Sequence, residues 1–190
     1  MRVPVGISNR HIHVSREHLD ILFGKEYELA VLKDLSQPGQ YAATEVVSIE
    51  GPKGKINNVR ILGPERKETQ IEISRTDSFL LGINPPVRDS GLLQATPGVK
   101  INGPNGEVII DKGVIIAARH IHFHTSDAES FGIRDQDRLQ VIVEGERGLV
   151  FENVLARVSK NYALEMHLDT DEANAAGLRN GDLLEIKKYQ

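Results

Sequence analysis

Arg10-His11-Ile12-His13 returns later in the chain as Arg119-His120-Ile121-His122, and His124 extends the second string by one more alternate position. Five of the seven histidines therefore sit in two copies of one pattern. In an extended strand, residues i and i+2 point to the same face about 7 Å apart. Two imidazoles so placed can close on a single zinc ion, whose Zn–N distance is about 2.0 Å. A lone histidine on a β surface packs and hydrogen-bonds like any half-polar side chain. Two His-x-His strings, each preceded by Arg and each followed by a short helix-like segment, point to metal instead.

Catalytic zinc usually takes three protein ligands and leaves a position open. His167 is the expected third ligand of the second pair, because His122 to Leu139 is echoed by His167 to Leu184. In that echo Asp127-Ala128, Gly132-Ile133, Asp137 and Leu139 face Glu172-Ala173, Gly177-Leu178, Asp182 and Leu184. The repeated unit reads as a His-bearing strand, a short helix ending at Gly and a returning strand. For the first pair the expected partner is Glu72 in the strand Gln70 to Ser74, since a carboxylate among aliphatic residues needs a counter-charge. The competing reading of Glu72 is an outward-facing residue of an amphipathic strand. His18, at the third position of a helix started by Ser15, reads as a surface residue.

Anion capture near such a metal calls for Arg, which forks onto phosphate. Arg66 lies in the turn-rich loop Leu62 to Lys67, close in sequence to Glu72. Asn84 to Gly91 and Thr96 to Gly98 read as loops that could line a cleft. P-loop, dinucleotide and nucleophile-elbow motifs are missing, which counts against nucleotide hydrolysis and nicotinamide chemistry.

The elements that must hold these residues are mostly strands. Glu45 to Glu50, the turn Gly51 to Gly54 and Lys55 to Leu62 form one expected hairpin; Gly98 to Ile101, Asn102 to Gly106 and Glu107 to Ile110 form another. Helices are expected at Arg16 to Phe23, stopped by Gly24, and at Asp127 to Phe131, capped by Thr125 or Ser126 and stopped by Gly132. With aromatics at 5% and no Trp, the core must be aliphatic. The expected class is mainly β, as two small closed β-barrels with short capping helices. The 190 residues suit one compact domain or two small ones. A net charge of -4 without charge blocks argues against nucleic acid. Without cysteine there is no disulfide, thiolate ligand or thiol nucleophile. The longest apolar run, Val114 to Ala118, is too short for a membrane span, and a cytoplasmic location is expected.

These residues resemble the PduL-type phosphotransacylases, the phosphate propanoyltransferases. The match runs from Val5-Gly6-Ile7-Ser8-Asn9-Arg10-His11-Ile12-His13 through Leu62-Gly63-Pro64, Arg66 and Ser90-Gly91 to Arg119-His120-Ile121-His122 and His167. The resemblance implies a discontinuous barrel of residues 1–9 and 118–190 and a second of residues 10–117. It implies two zinc ions per chain, one on His11, His13 and Glu72, the other on His120, His122 and His167, with His124 on the same face completing a shell. It further implies that Arg66 holds phosphate and that Ser90 and Gly91, with Ala117 and Ala118, meet coenzyme A. The implied reaction converts acyl-CoA and phosphate to acyl phosphate and CoA, in either direction, with acetyl or propanoyl groups and in a homodimer. Shell-targeted relatives carry an amphipathic extension before the first strand, whereas here that strand starts near Met1, so a free cytoplasmic enzyme is expected. The alternatives are a binuclear zinc hydrolase and a non-catalytic binding protein stapled by zinc.

Overall fold

The computed structural model describes residues 1–189, and its elements are short. In chain order they are β1 (Arg2–Ser8), β2 (His11–His13), α1 (Arg16–Phe23), β3 (Val31–Asp34), β4 (Tyr41–Glu50), β5 (Lys55–Gly63), β6 (Gln70–Glu72), α2 (Arg75–Leu81), β7 (Val87–Arg88), β8 (Val99–Asn102), β9 (Glu107–Ile110) and β10 (Val114–Ala117). The remainder comprises β11 (His120–Phe123), α3 (Thr125–Phe131), β12 (Arg138–Val143), β13 (Leu149–Val158), β14 (Glu165–Asp169), α4 (Thr170–Ala176) and β15 (Leu183–Lys188). Among the described residues, no helix is long and apolar enough to cross a membrane.

The chain divides into two compact units. One contains Met1–Ser8, Ser36–Pro38 and the chain from Ala118 onward; the other contains Asn9–Leu35 and Gly39–Ala117. In the first unit the strands close in the order β1-β14-β11-β13-β12-β15, with β15 returning to β1 by antiparallel pairing. Val3, Val5, Ile121, Phe123, Val141, Met166 and Leu168 fill its core. Because side chains alternate along a strand, burying Ile121 and Phe123 turns His120 and His122 to the other face of β11. Burying Met166 and Leu168 does the same for Glu165 and His167 on β14.

The second unit carries a nine-stranded sheet with the path β7-β10-β6-β2-β5-β4-β8-β9, and β3 joins it on β4. The described residues are thus mainly β with four short helices. One sheet closes as a barrel, whereas the other runs from β7 to β9 without closing, because its two outermost strands do not pair with each other. Its core is aliphatic, as the scarcity of aromatics requires: Ile12, Val14, Leu19, Leu22, Val47, Ile61, Ile71 and Ile101 are among the buried members.

Both expected hairpins form, with Gly51 N–H donating to Gly54 O and Gly103 N–H to Gly106 O, each at 2.9 Å. Helix α1 starts at Ser15 and ends at Gly24. Helix α3 starts earlier than expected: His124 is its cap, accepting from Ser126 N–H, and Thr125 is already helical. The strand expected to reach Ser74 stops at Glu72, and Ser74 with Asp77 forms a capping box for α2.

Candidate functional site

Two groups of potential metal ligands are present among the described residues, one in each unit. They are His11, His13 and Glu72, and His120, His122 and His167; within each group the ligand atoms lie within 4.8 Å of one another. Both have the same strand architecture. In the second unit β2 carries His11 and His13 between parallel β5 and antiparallel β6, with His11 opposite Glu72. In the first unit β11 carries His120 and His122 between parallel β13 and antiparallel β14, with His120 opposite His167. Two ligands from one strand and one from its antiparallel neighbour make a three-point claw.

Hydrogen bonds settle which ring nitrogens remain for a metal. His11 Nδ1–H donates to Asn9 O at 2.8 Å and His13 Nδ1–H to Leu62 O at 3.2 Å, leaving both Nε2 atoms as lone-pair donors. His11 Nε2 lies 3.4 Å from Glu72 Oε2. That matches the edge of about 3.3 Å that donor atoms make around a tetrahedral zinc. In the other group His120 Nδ1–H donates to Ala118 O at 2.8 Å. His167 uses Nε2–H, which donates to Glu165 Oε2 at 2.6 Å, and so offers Nδ1. A carboxylate behind a ligating imidazole fixes its tautomer and raises its basicity.

His122 is the strongest sign of an intended cation. Its side chain is buried and stacks on Tyr162 with centroids 4.3 Å apart, yet neither ring nitrogen has a hydrogen-bond partner among the described residues. Burying such atoms without partners is costly. The three rings of this group stand in a near-equilateral triangle, with centroids 4.7, 4.8 and 5.1 Å apart. Burial, with the neighbouring His120 and His167, lowers the His122 pKa to about 2. Burial, with His11 and Arg66, lowers that of His13 to about 3. Both imidazoles are neutral at pH 7, the form that ligates a metal. The donor sets, three imidazoles and two imidazoles with a carboxylate, are those of open zinc sites, so the residues fit the ion.

Arg66 lies beside the first group. Its backbone N–H donates to Val14 O at 2.9 Å, and its Nη1 donates to Ser90 Oγ at 3.3 Å. Gly91 follows at φ +95° and donates its N–H to Gln70 Oε1 at 2.7 Å. Ala117 ends β10 opposite Arg88, and Ala118 supplies the carbonyl that orients His120. His124 stands outside both groups; its Nδ1 is engaged with Ser126, as the helix cap requires. His18 is tied to Thr69 Oγ1 at 2.7 Å.

Two supporting ion pairs were not expected from the sequence. Arg10 grips the buried Asp77, with Nε–H donating to Oδ2 at 2.9 Å and Nη2 at 2.7 Å from Oδ1. Arg119 Nε lies 3.0 Å from Glu172 Oε1. Each arginine precedes a His-x-His string, and each acid is the third residue of the helix that follows the strand bearing the third ligand. The signal was in the sequence: Glu72, Ser74 and Asp77 have the same spacing as His167, Asp169 and Glu172.

A family model described as phosphate propanoyltransferase matches residues 4–179. The chain is 62% identical over 188 residues to the phosphate propanoyltransferase of Thermotoga maritima, covering 98% of this chain and 90% of that protein. It is 53% identical over 187 residues to the enzyme of the same name from Rhodopseudomonas palustris, covering 98% and 83%. To that of Clostridioides difficile it is 50% identical over 186 residues, covering 98% and 89%. The chain is therefore an acyltransferase and belongs to the phosphate propanoyltransferase family.

Proposed function

We propose that this chain interconverts acyl-CoA plus phosphate with acyl phosphate plus CoA, with one zinc ion held by His11, His13 and Glu72 and another by His120, His122 and His167. The observation that carries the metal part is the orphaned, buried imidazole of His122 among two further histidines. Family membership carries the reaction class.

The chain has no cysteine, so a thiol-linked acyl-enzyme is excluded and direct attack is the simplest route. A phosphate oxygen forms a bond to the thioester carbonyl carbon, the C–S bond breaks, and CoA leaves as a thiolate that takes up a proton. Arg66 binds phosphate and offsets the repulsion between two anionic reactants. Ser90, already within reach of the Arg66 guanidinium, and Gly91 contact coenzyme A. Zinc, when bound, supplies positive charge that polarises the carbonyl and stabilises the leaving sulfur. Glu165 holds the His167 ring, and the Asn9, Leu62 and Ala118 carbonyls hold the other rings, so the ligands are oriented before a cation arrives.

The test is release of free thiol from propanoyl-CoA and acetyl-CoA by the zinc-loaded protein at varied phosphate, with acyl phosphate trapped as a hydroxamate. Thiol release should require phosphate and match acyl phosphate in amount. Thiol release that proceeds without phosphate would establish a hydrolase in its place.

A further inference from the structure

Gln70 sits in β6 directly opposite His13, is 2% exposed, and uses both ends of its amide. Its Nε2 donates to Glu72 Oε1 at 2.6 Å and to Ser90 Oγ at 2.8 Å. Its Oε1 accepts the Gly91 N–H at 2.7 Å. Only this orientation of the amide works, because the flipped one would set its oxygen against a carboxylate oxygen and its NH₂ against an N–H. Ser90 Oγ also receives Arg66 Nη1. One buried side chain thus joins a metal-ligand carboxylate to the loop that the phosphate-binding arginine touches.

We infer that Gln70 is a positioning residue that couples cation capture by Glu72 to the ordering of the Ser90–Gly91 loop. The inference rests on the metal reading proposed above. Glu72 directs Oε2 toward His11 and Oε1 to Gln70, so a cation on Oε2 holds the carboxylate in one rotamer and Gln70 with it. The amide then presents a fixed acceptor to Gly91 and a fixed donor to Ser90. Gly91 reaches that acceptor at a positive φ, where a residue with a side chain is strained. Coupling is reciprocal, so phosphate that draws Arg66 and Ser90 together tightens cation binding.

The experiment is hydrogen exchange of the peptide covering residues 87–93 in the full chain, metal-free and at saturating zinc, with zinc content measured in parallel. In the wild type, zinc should slow exchange at Gly91 by about fivefold or more. Gln70→Met should bind zinc about 10–100-fold more weakly at this group. At saturation it should carry as much zinc as the wild type while exchanging the loop at one rate with and without it. Ser90→Ala, a loop change that spares the strands, should reduce the zinc-dependent protection. A buried filler role for Gln70 predicts lost stability without any change in this difference. Zinc uptake by the wild type without loop protection, or full protection in Gln70→Met, overturns the coupling alone. Failure of the wild type to take up zinc overturns the metal reading and the coupling with it.

Discussion

His120 and His167 stand directly opposite each other on antiparallel β11 and β14, in the same relation that His11 has to Glu72 on β2 and β6. The repetition continues outward. Glu165 faces His122 as Gln70 faces His13, and each donates to or accepts from the ligand two residues along its own strand. The arginine before each His-x-His string grips an acid on the helix behind the third ligand. Both units therefore position their candidate ligands with the same small module, filled with different residues.

Gly6 is paired with His167, and a Cβ there would stand 2.8 Å from the Glu165 carboxyl carbon. That atom is at the end of a flexible side chain, so Gly6→Ala should fold normally while pushing Glu165 off His167. Zinc affinity of this group should fall about 10–100-fold in chelator competition. Unchanged affinity would show that Glu165 does not orient the ligand.

On the proposed assignment, Arg66→Ala removes the charge that binds phosphate while sparing both groups of metal ligands. Zinc content should stay the same and KM for phosphate should rise roughly 10–100-fold, the value of a charge-assisted hydrogen bond of about 1.5–3 kcal/mol. Steady-state kinetics at varied phosphate, with metal analysis, separates this from loss of zinc.

Burial raises the Glu172 pKa to about 7 against an ordinary value of 4.5, and Arg119 only partly opposes the shift. The folded state then binds more protons than the unfolded state between these values, so this group lowers stability as pH rises through that window and leaves it unchanged below it. Glu172→Gln should match the wild type at pH 4 and exceed it at pH 8 by up to about 3 kcal/mol. Denaturant midpoints at the two pH values decide it; equal gains at both would contradict the assignment.

Asp77 is 1% exposed, closes the capping box of α2 and pairs with Arg10. Asp77→Ala leaves the Ser74 cap but removes the acceptor of the Ser74 N–H and the partner of Arg10, and should cost about 1–3 kcal/mol of unfolding free energy. Conversion of Arg10 to Met in the same chain should recover part of that loss.

The His-x-His strings were legible because strand alternation alone puts their rings on one face. The hairpins were legible because Gly, Pro and Asn mark their turns. Which ligand faces which was not, since cross-strand register joins residues far apart in sequence. The internal echo sets His167 beside His122, whereas the sheet sets it opposite His120 and gives Glu165 to His122. Closure of one sheet and not the other was equally hidden, because it depends on β1 pairing with both β14 and β15. Continuing alternation placed His124 with the other rings, but the strand ends at Phe123 and the ring turns to cap a helix instead.

Zinc content per chain in the purified wild type, His122→Ala and Glu72→Ala tests both proposed metal groups at once. Two ions are expected in the wild type and one in each variant, each having lost the ion of its own unit. A wild type with no zinc after loading, or either variant retaining both ions, would contradict the metal assignment.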